Sequence, residues 1–414
     1  MKKFLLGCFF FLICCSALWA KTLTFIGKTD KDALSYKPGE EMVFTISYFE
    51  DGKQIDGSPL SWTRTGDDGK TETGTAVSSA TEPLIIKTSI DVPGFVRIQV
   101  FALDENGNPY EGEHNQFNGG AGVLVDQIKG YPEPADFDEF WAKQKKRLAE
   151  VPLRADLVEV DSGNPDVVAY DIKVDCAGPK PVSGYLCKPK NAEPKSLPAL
   201  ISFHGYGVYS ANKCVDDGKD KLRLDINAHG IENGQPSTYY QELAATSLKN
   251  YGFDEKENSN PETCYWNGMT LRIMRALEFV KSQPEWDGKT LIVTGGSQGG
   301  FQCLTAAGLD SDVSDCIAHI PWLCDLSGKE KNQRVGSFFF PNWVDGLGYY
   351  DTTNHAKRIK AKTTIIVGLG DYVCPPSGEM VLFNNMTAPT RLEFSQGRTH
   401  GYPMPEAAKS VLTK

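Results

Sequence analysis

The segment Gly295-Gly296-Ser297-Gln298-Gly299 constrains this chain more than any other, because it joins a strand-like run at 289–293 to a helix-compatible run at 300–307. A serine flanked by glycines at such a junction fits a turn too sharp for neighbouring Cβ atoms, and it lifts the hydroxyl clear of a sheet edge. With 40 glycines in 414 residues the string alone is weak, and a glycine-rich turn without chemistry is the plain alternative. Context favours the first reading. Apolar runs at 197–203, 222–226, 291–293, 316–322, 364–369 and 391–394 alternate with helical patterns, and most end in glycine or polar residues. That rhythm predicts an α/β unit, a mostly parallel sheet with helices on both faces.

Before this unit the texture differs. Residues 21–128 hold short β-like runs at 22–25, 42–48, 84–88, 96–103 and 123–125, punctuated by Asp51-Gly52, Asp68-Gly69 and Asn106-Gly107. The spacing predicts a small immunoglobulin-like β-sandwich. No residue cluster in it suggests chemistry, so small-substrate turnover is expected to survive its removal. Gly130-Tyr131-Pro132-Glu133-Pro134 then interrupts regular structure, and Asp136 is the expected N-cap of a helix over 137–150. The boundary falls near residue 128, with the α/β unit over 129–414.

Residues 1–20 read as a signal peptide: two lysines, an apolar run from Phe4, and small residues at the end. Periplasmic or extracellular location follows. Cys14 and Cys15 raise lipoprotein anchoring as a lesser option, although neither follows the small residue a lipobox requires. No other long apolar segment occurs, so no membrane-integral segment is expected after cleavage. The net charge of −10 argues against nucleic acid as a partner and points to neutral substrates. Beyond the leader lie Cys176, Cys187, Cys214, Cys264, Cys303, Cys316, Cys324 and Cys374, with no metal-ribbon spacing. Cys176 and Cys187 flank a hairpin-like turn and are candidates to pair; buried thiols are the alternative for the rest.

A serine hydroxyl needs a base to act as a nucleophile, and in a strand-turn-helix setting of this kind the acid and then the histidine follow the serine in the chain. Of the six histidines, His400 alone follows a final strand, in Gly397-Arg398-Thr399-His400-Gly401. Asp371, after the run at 364–369, is the matching acid, with Asp325, Asp345 and Asp351 as rivals. Oxyanion donors are expected from the backbone N–H groups of Gln298 and of Tyr206, in the loop His204-Gly205-Tyr206-Gly207. His204 reads as structural. His229 and Asn227 follow the run at 222–226 and are candidates to line substrate, His229 reading equally as a residue that fixes its loop and less readily as a rival base. Neither cofactor nor metal is implied.

Together these segments resemble the acetyl xylan esterase and cephalosporin C deacetylase family of α/β-hydrolases. The resemblance covers roughly residues 130–405 and rests on Pro134-Ala135-Asp136-Phe137-Asp138-Glu139-Phe140-Trp141, Phe203-His204-Gly205-Tyr206, Gly295-Gly296-Ser297-Gln298-Gly299-Gly300, Val367-Gly368-Leu369-Gly370-Asp371 with Val373-Cys374-Pro375-Pro376-Ser377, and the His400 loop. It implies a Ser297, Asp371 and His400 triad, an oxyanion hole at Tyr206 and Gln298, an acetylated carbohydrate substrate and a homo-oligomer. Two departures bear on substrate choice and packing: Asn227-Ala228-His229 replaces the usual Arg-Gly-Gln, and His400-Gly401 replaces His-Glu. Two other readings compete, a prolyl-oligopeptidase-like peptidase and an inactive hydrolase domain serving carbohydrate binding or adhesion. The first usually carries a propeller that some 100 residues cannot build, and the second sits poorly with an intact serine, acid and histidine.

Overall fold

The computed structural model describes residues 23–110, 115–401 and 407–414. The expected leader at 1–20 lies outside them, and among the described residues no helix is long and apolar enough to cross a membrane. Eight strands come first: β1 (Leu23–Thr29), β2 (Met42–Glu50), β3 (Lys53–Gln54), β4 (Pro59–Gly66), β5 (Glu72–Val77), β6 (Leu84–Thr88), β7 (Gly94–Ala102) and β8 (Gln116–Val123). They form two antiparallel four-stranded sheets, β1-β2-β3 with β6 on β2, and β5-β4-β7-β8. Period-two burial explains the pairing of faces. Met42, Phe44, Ile46 and Tyr48 point inward from β2, as do Val96, Ile98, Val100 and Ala102 from β7. The Phe117 ring of β8 lies so close under Gly27 of β1 that a Cβ there would stand 2.4 Å from it.

Ten further strands build one sheet: β9 (Ala155–Val160), β10 (Val167–Val174), β11 (Val182–Pro189), β12 (Leu197–Phe203), β13 (Leu222–Ile226), β14 (Trp286–Gly296), β15 (Asp315–His319), β16 (Lys362–Gly368), β17 (Thr390–Ser395) and β18 (Lys409–Thr413). Their order is β18-β17-β16-β15-β14-β12-β13-β11-β10-β9. From β13 through β17 all neighbours are parallel; the β9–β11 meander and β18 are antiparallel additions at the two margins. β13 is buried at every position, as a strand covered on both faces must be. This is the α/β-hydrolase fold, with a β-rich region ahead of it. Because β12, β14, β15, β16 and β17 run the same way, the loops after them open on one edge, where ligands bind in such sheets.

Two expectations are corrected. Cys176 and Cys187 are both free. In the β10–β11 hairpin Val174 faces Val182 and Cys187 faces Ala169, so Cys187 sits far along the hairpin from the turn that holds Cys176, beyond the ~6 Å that a disulfide spans between Cα atoms. Helix Phe137–Ala149 forms one residue shorter than expected, and Asp136 makes no capping bond; its carboxylate instead accepts the Tyr349 hydroxyl at 2.5 Å.

Candidate active site

The turn after β14 forces Ser297 to φ 56°, ψ −119°, a left-handed φ that a non-glycine residue adopts only where the surroundings impose it. They do so from both sides. Ser297 N–H donates to His319 O at 2.9 Å, and Ser297 O accepts from Phe301 N and Trp322 N, both at 3.0 Å. Glycine is required beside it: a Cβ on Gly299 would stand 2.1 Å from Phe203 O, and one on Gly295 would meet the Gly299 carbonyl carbon at 2.6 Å. The strain is thus built in by close approach of the β12 and β14 ends.

His400 Nε2 lies 3.0 Å from Ser297 Oγ, and His400 Nδ1 lies 2.9 Å from Asp371 Oδ2. With Asp371 ionised, Nδ1–H donates to it and Nε2 is left to accept the serine proton. Asp371 is fully buried, and its other oxygen accepts Val373 N–H at 3.0 Å and Cys374 N–H at 2.9 Å. Three side chains from three loops therefore form one hydrogen-bonded line. The rivals are occupied elsewhere. Asp325 pairs with Arg334, Asp351 accepts the N–H groups of Asp325, Leu326 and Thr353, and Asp345 opens a short 3₁₀ turn.

Gly205 abuts the serine: a Cβ there would lie 3.9 Å from Ser297 Cβ. The Gly205–Gly207 loop is tied to the helix that Gln298 begins. Tyr251 Oη donates to Gln298 Oε1 at 2.8 Å and accepts Gly207 N–H at 2.9 Å, Gln302 Nε2 donates to His204 O at 3.2 Å, and the Tyr206 ring stacks on Tyr251 at 4.3 Å. Tyr251 and Gln302 escaped the sequence reading. The only available signal was the four-residue spacing of Gln298 and Gln302, which puts both on one helix face.

His204 is held as a structural group, Nε2 accepting Ala228 N–H at 3.0 Å and Nδ1–H donating to Gly205 O at 2.7 Å. His229 and Asn227, the expected substrate-lining pair, are both tied by hydrogen bonds to the loops around them. Asn227 is fully buried, its Oδ1 accepting His229 N–H and its Nδ2 donating to Tyr209 O at 2.7 Å. His229 Nε2–H donates to Gly207 O at 2.8 Å while Nδ1 takes the Tyr265 hydroxyl. Burial pushes the His229 pKa down to about 3, so the ring stays neutral. It lines a cleft of about 790 Å³ with Tyr239, Tyr265 and Arg272, while its two nitrogens bond Gly207 O and the Tyr265 hydroxyl.

Among the described residues the cluster with metal-ligand spacing is Asp371, Cys374 and His400. Two of the three are already committed to each other and to Ser297.

A family model described as acetyl xylan esterase (AXE1) matches residues 124–412. The chain belongs to the acetyl xylan esterase family. It is 29% identical over 282 residues to acetyl esterase Axe7A of Xylanibacter ruminicola, a match covering 65% of this chain and 64% of that relative, so less than two thirds of the relative's length is spanned. The acetyl xylan esterase structure from Paenibacillus sp. R4 is 26% identical, with a TM-score of 0.55, over 68% of this chain and 94% of that one. That of acetyl xylan esterase 1 from Thermoanaerobacterium sp. JW/SL YS485 is 25% identical, with a TM-score of 0.54, over 68% and 93%. In this family member the β-rich strands before residue 124 lie outside the matched region.

Beside the acid, burial drives the Glu379 carboxyl well above the usual range, and the negative charge of Asp371 adds to the effect. A carboxyl raised in the fold favours folding fully below its unfolded pKa, about 4.3, and that favour fades as pH rises from there towards the folded value. Glu379→Gln is therefore expected to flatten the decline in thermal stability between about pH 5 and 8; melting curves across that range check it. A variant melting with the wild-type slope would mean that Glu379 is ionised in the fold.

Proposed function

We propose that this chain is an exported serine esterase that removes acetyl groups from plant polysaccharide or its oligosaccharides through an acyl-serine intermediate. The observation that carries the reading is the line Ser297–His400–Asp371 at the carboxyl edge of an acetyl xylan esterase family sheet. In this mechanism Ser297 Oγ attacks the acetyl carbonyl and His400 Nε2 takes its proton. The Asp371 carboxylate stabilises the imidazolium, and the proton passes to the leaving sugar hydroxyl. Water then repeats the sequence and acetate leaves. Backbone N–H groups of Gln298, at the free first turn of its helix, and of Tyr206 are the proposed donors to the oxyanion.

Export rests on the basic, apolar and small-residue pattern of residues 1–20. The division near residue 128 is supported by the start of the family match at 124 and by the change from sandwich to parallel sheet.

A short acyl group is supported by the aromatic packing. Trp322, whose N–H bonds Ser297 O, packs its ring with Tyr206 at 5.5 Å, and Phe339 and Phe253 lie 5.3 and 5.9 Å from Tyr206. These rings pack around Tyr206, in the proposed oxyanion loop. p-Nitrophenyl acetate is expected to be hydrolysed at least about tenfold faster than the octanoate ester, since accommodating longer chains means displacing packed rings. A series of acyl lengths checks this, and equal rates on the octanoate would reject the deacetylase reading. Release of acetate from acetylated xylan oligosaccharides tests the substrate class directly.

A further inference from the structure

The loops carrying Asp371 and His400 lean on the N-terminal sandwich as well as on each other. Gly370 N–H donates to Arg398 O at 3.1 Å, joining the acid loop to the base loop. Beneath both runs β8. The side chain of Gln396, four residues before His400 and buried, makes two bonds to one residue of β8: its Oε1 accepts Gly120 N–H at 2.9 Å and its Nε2 donates to Gly120 O at 2.8 Å. The glycines here mark close approach of main chains. A Cβ on Gly370 would stand 2.0 Å from Asn118 O, and one on Gly120 would lie 2.5 Å from Val96 O and 3.2 Å from Leu369 O. Next to Asp371, the ring of the buried Tyr372 lies under the Arg97 guanidinium of β7 at 4.1 Å. Arg97 is itself fixed by Asn118 Oδ1, which accepts from Nη2 at 3.0 Å. Burial pushes the Arg97 pKa down, and the electrostatic pull of Tyr372 and Asp371 opposes that shift. A third tether comes from Asp67, which accepts Phe95 N–H at 2.9 Å within the sandwich and Val335 N–H at 3.1 Å beyond it.

We propose that the sandwich is a positioning element for the reaction: Gln396 on Gly120, and Arg97 on Tyr372, hold the Asp371 and His400 loops in the register that aims His400 Nε2 at Ser297. The proposal rests on the triad reading above. It reverses the expectation that small-ester turnover is indifferent to residues 21–128. A hydrogen-bonded relay tolerates little misplacement, because a shift of about 1 Å costs up to ~100-fold in rate. Arg97 and Gln396 touch no reacting atom, so their effect falls on kcat.

The test is kinetics of the full-length protein on p-nitrophenyl acetate. Gln396→Met, which keeps the volume and removes both bonds, and Arg97→Ala are each expected to lower kcat about 10- to 100-fold with KM changed less than about threefold. Arg97→Lys, which restores a cation over Tyr372, is expected to recover about half of the lost rate. Ile46→Val, buried on β2 in the sheet that holds neither β7 nor β8, loosens the sandwich by ~1 kcal/mol and is expected to leave kcat within about twofold. Arg97→Ala carries the greater risk of misfolding, so Gln396→Met keeps the test decisive. Folded Gln396→Met with kcat within about twofold of wild type would overturn the proposal, as would an equal loss in Ile46→Val. A wild-type protein without ester turnover would instead reject the triad reading itself, and the scaffold role with it.

Discussion

Ser297→Ala is expected to lower kcat on p-nitrophenyl acetate by about 10⁴- to 10⁶-fold, because without Oγ no acyl-enzyme forms and only oxyanion stabilisation and binding remain. The fold should tolerate the change. Ser297 holds its place through its backbone, by bonds to His319 O, Phe301 N and Trp322 N, and the side chain's hydrogen bond is to His400 Nε2. The strained φ of 56° is paid for by those backbone contacts, and alanine inherits the strain unchanged. Ser297→Gly should be as inactive and more stable, by an amount on the order of 1 kcal/mol, since glycine adopts positive φ freely. Steady-state rates with titration of the active serine by a fluorophosphonate check the first point, and thermal melting the second. Activity of Ser297→Ala within tenfold of wild type would reject the assignment.

The centre of this fold is legible in the sequence because its strands are short apolar runs bounded by turn residues. The runs at 197–203 and 222–226 coincide with β12 and β13 to the residue. The run at 316–322 overshoots β15 by three, because the chain leaves the sheet at Ile320, whose φ is 39°; hydrophobicity continues there for burial in the loop rather than for pairing. The margins were silent for a different reason. β9, the edge strand, and its neighbour β10 mix charged and apolar residues, and β8 reads Gln116-Phe117-Asn118-Gly119-Gly120-Ala121-Gly122-Val123, a composition that argues against a strand. Gly119 and Gly120 stand where the Gln396 side chain and Leu369 O approach the strand, and Gly122 where Val125 and Phe95 do, a tertiary reason that local pattern does not carry. The same contrast divides the site. Ser297, Asp371 and His400 follow from chain order and strand ends, whereas Tyr251, Gln302, Gln396 and Arg97 are single residues whose partners lie far along the chain.

Two histidines near the sheet edge invite confusion, and the structure separates them by their hydrogen bonds. His400→Ala is expected to cost about 10³-fold or more in kcat, because His400 Nε2 is the group hydrogen-bonded to Ser297 Oγ and placed to accept its proton. His229→Ala acts differently. The ring is neutral, with its pKa pushed down to about 3 by burial, and its Nε2–H is spent on Gly207 O. Its removal leaves that carbonyl without its donor and frees the loop that presents Tyr206, so both stability and oxyanion stabilisation suffer. Losing the hydrogen bond to the half-buried Gly207 carbonyl costs about 1 kcal/mol, and a loosened oxyanion donor lowers kcat by about tenfold, well short of the ~10²-fold seen when a donor is deleted outright. The two variants should thus differ in kind: His400→Ala loses about 10³-fold or more in rate at wild-type melting temperature, while His229→Ala melts a few degrees lower and loses only about tenfold in rate below that point. Parallel kinetics and melting curves distinguish them. A dead, fully stable His229→Ala beside an active His400→Ala would move the base to His229 and break the line through Asp371.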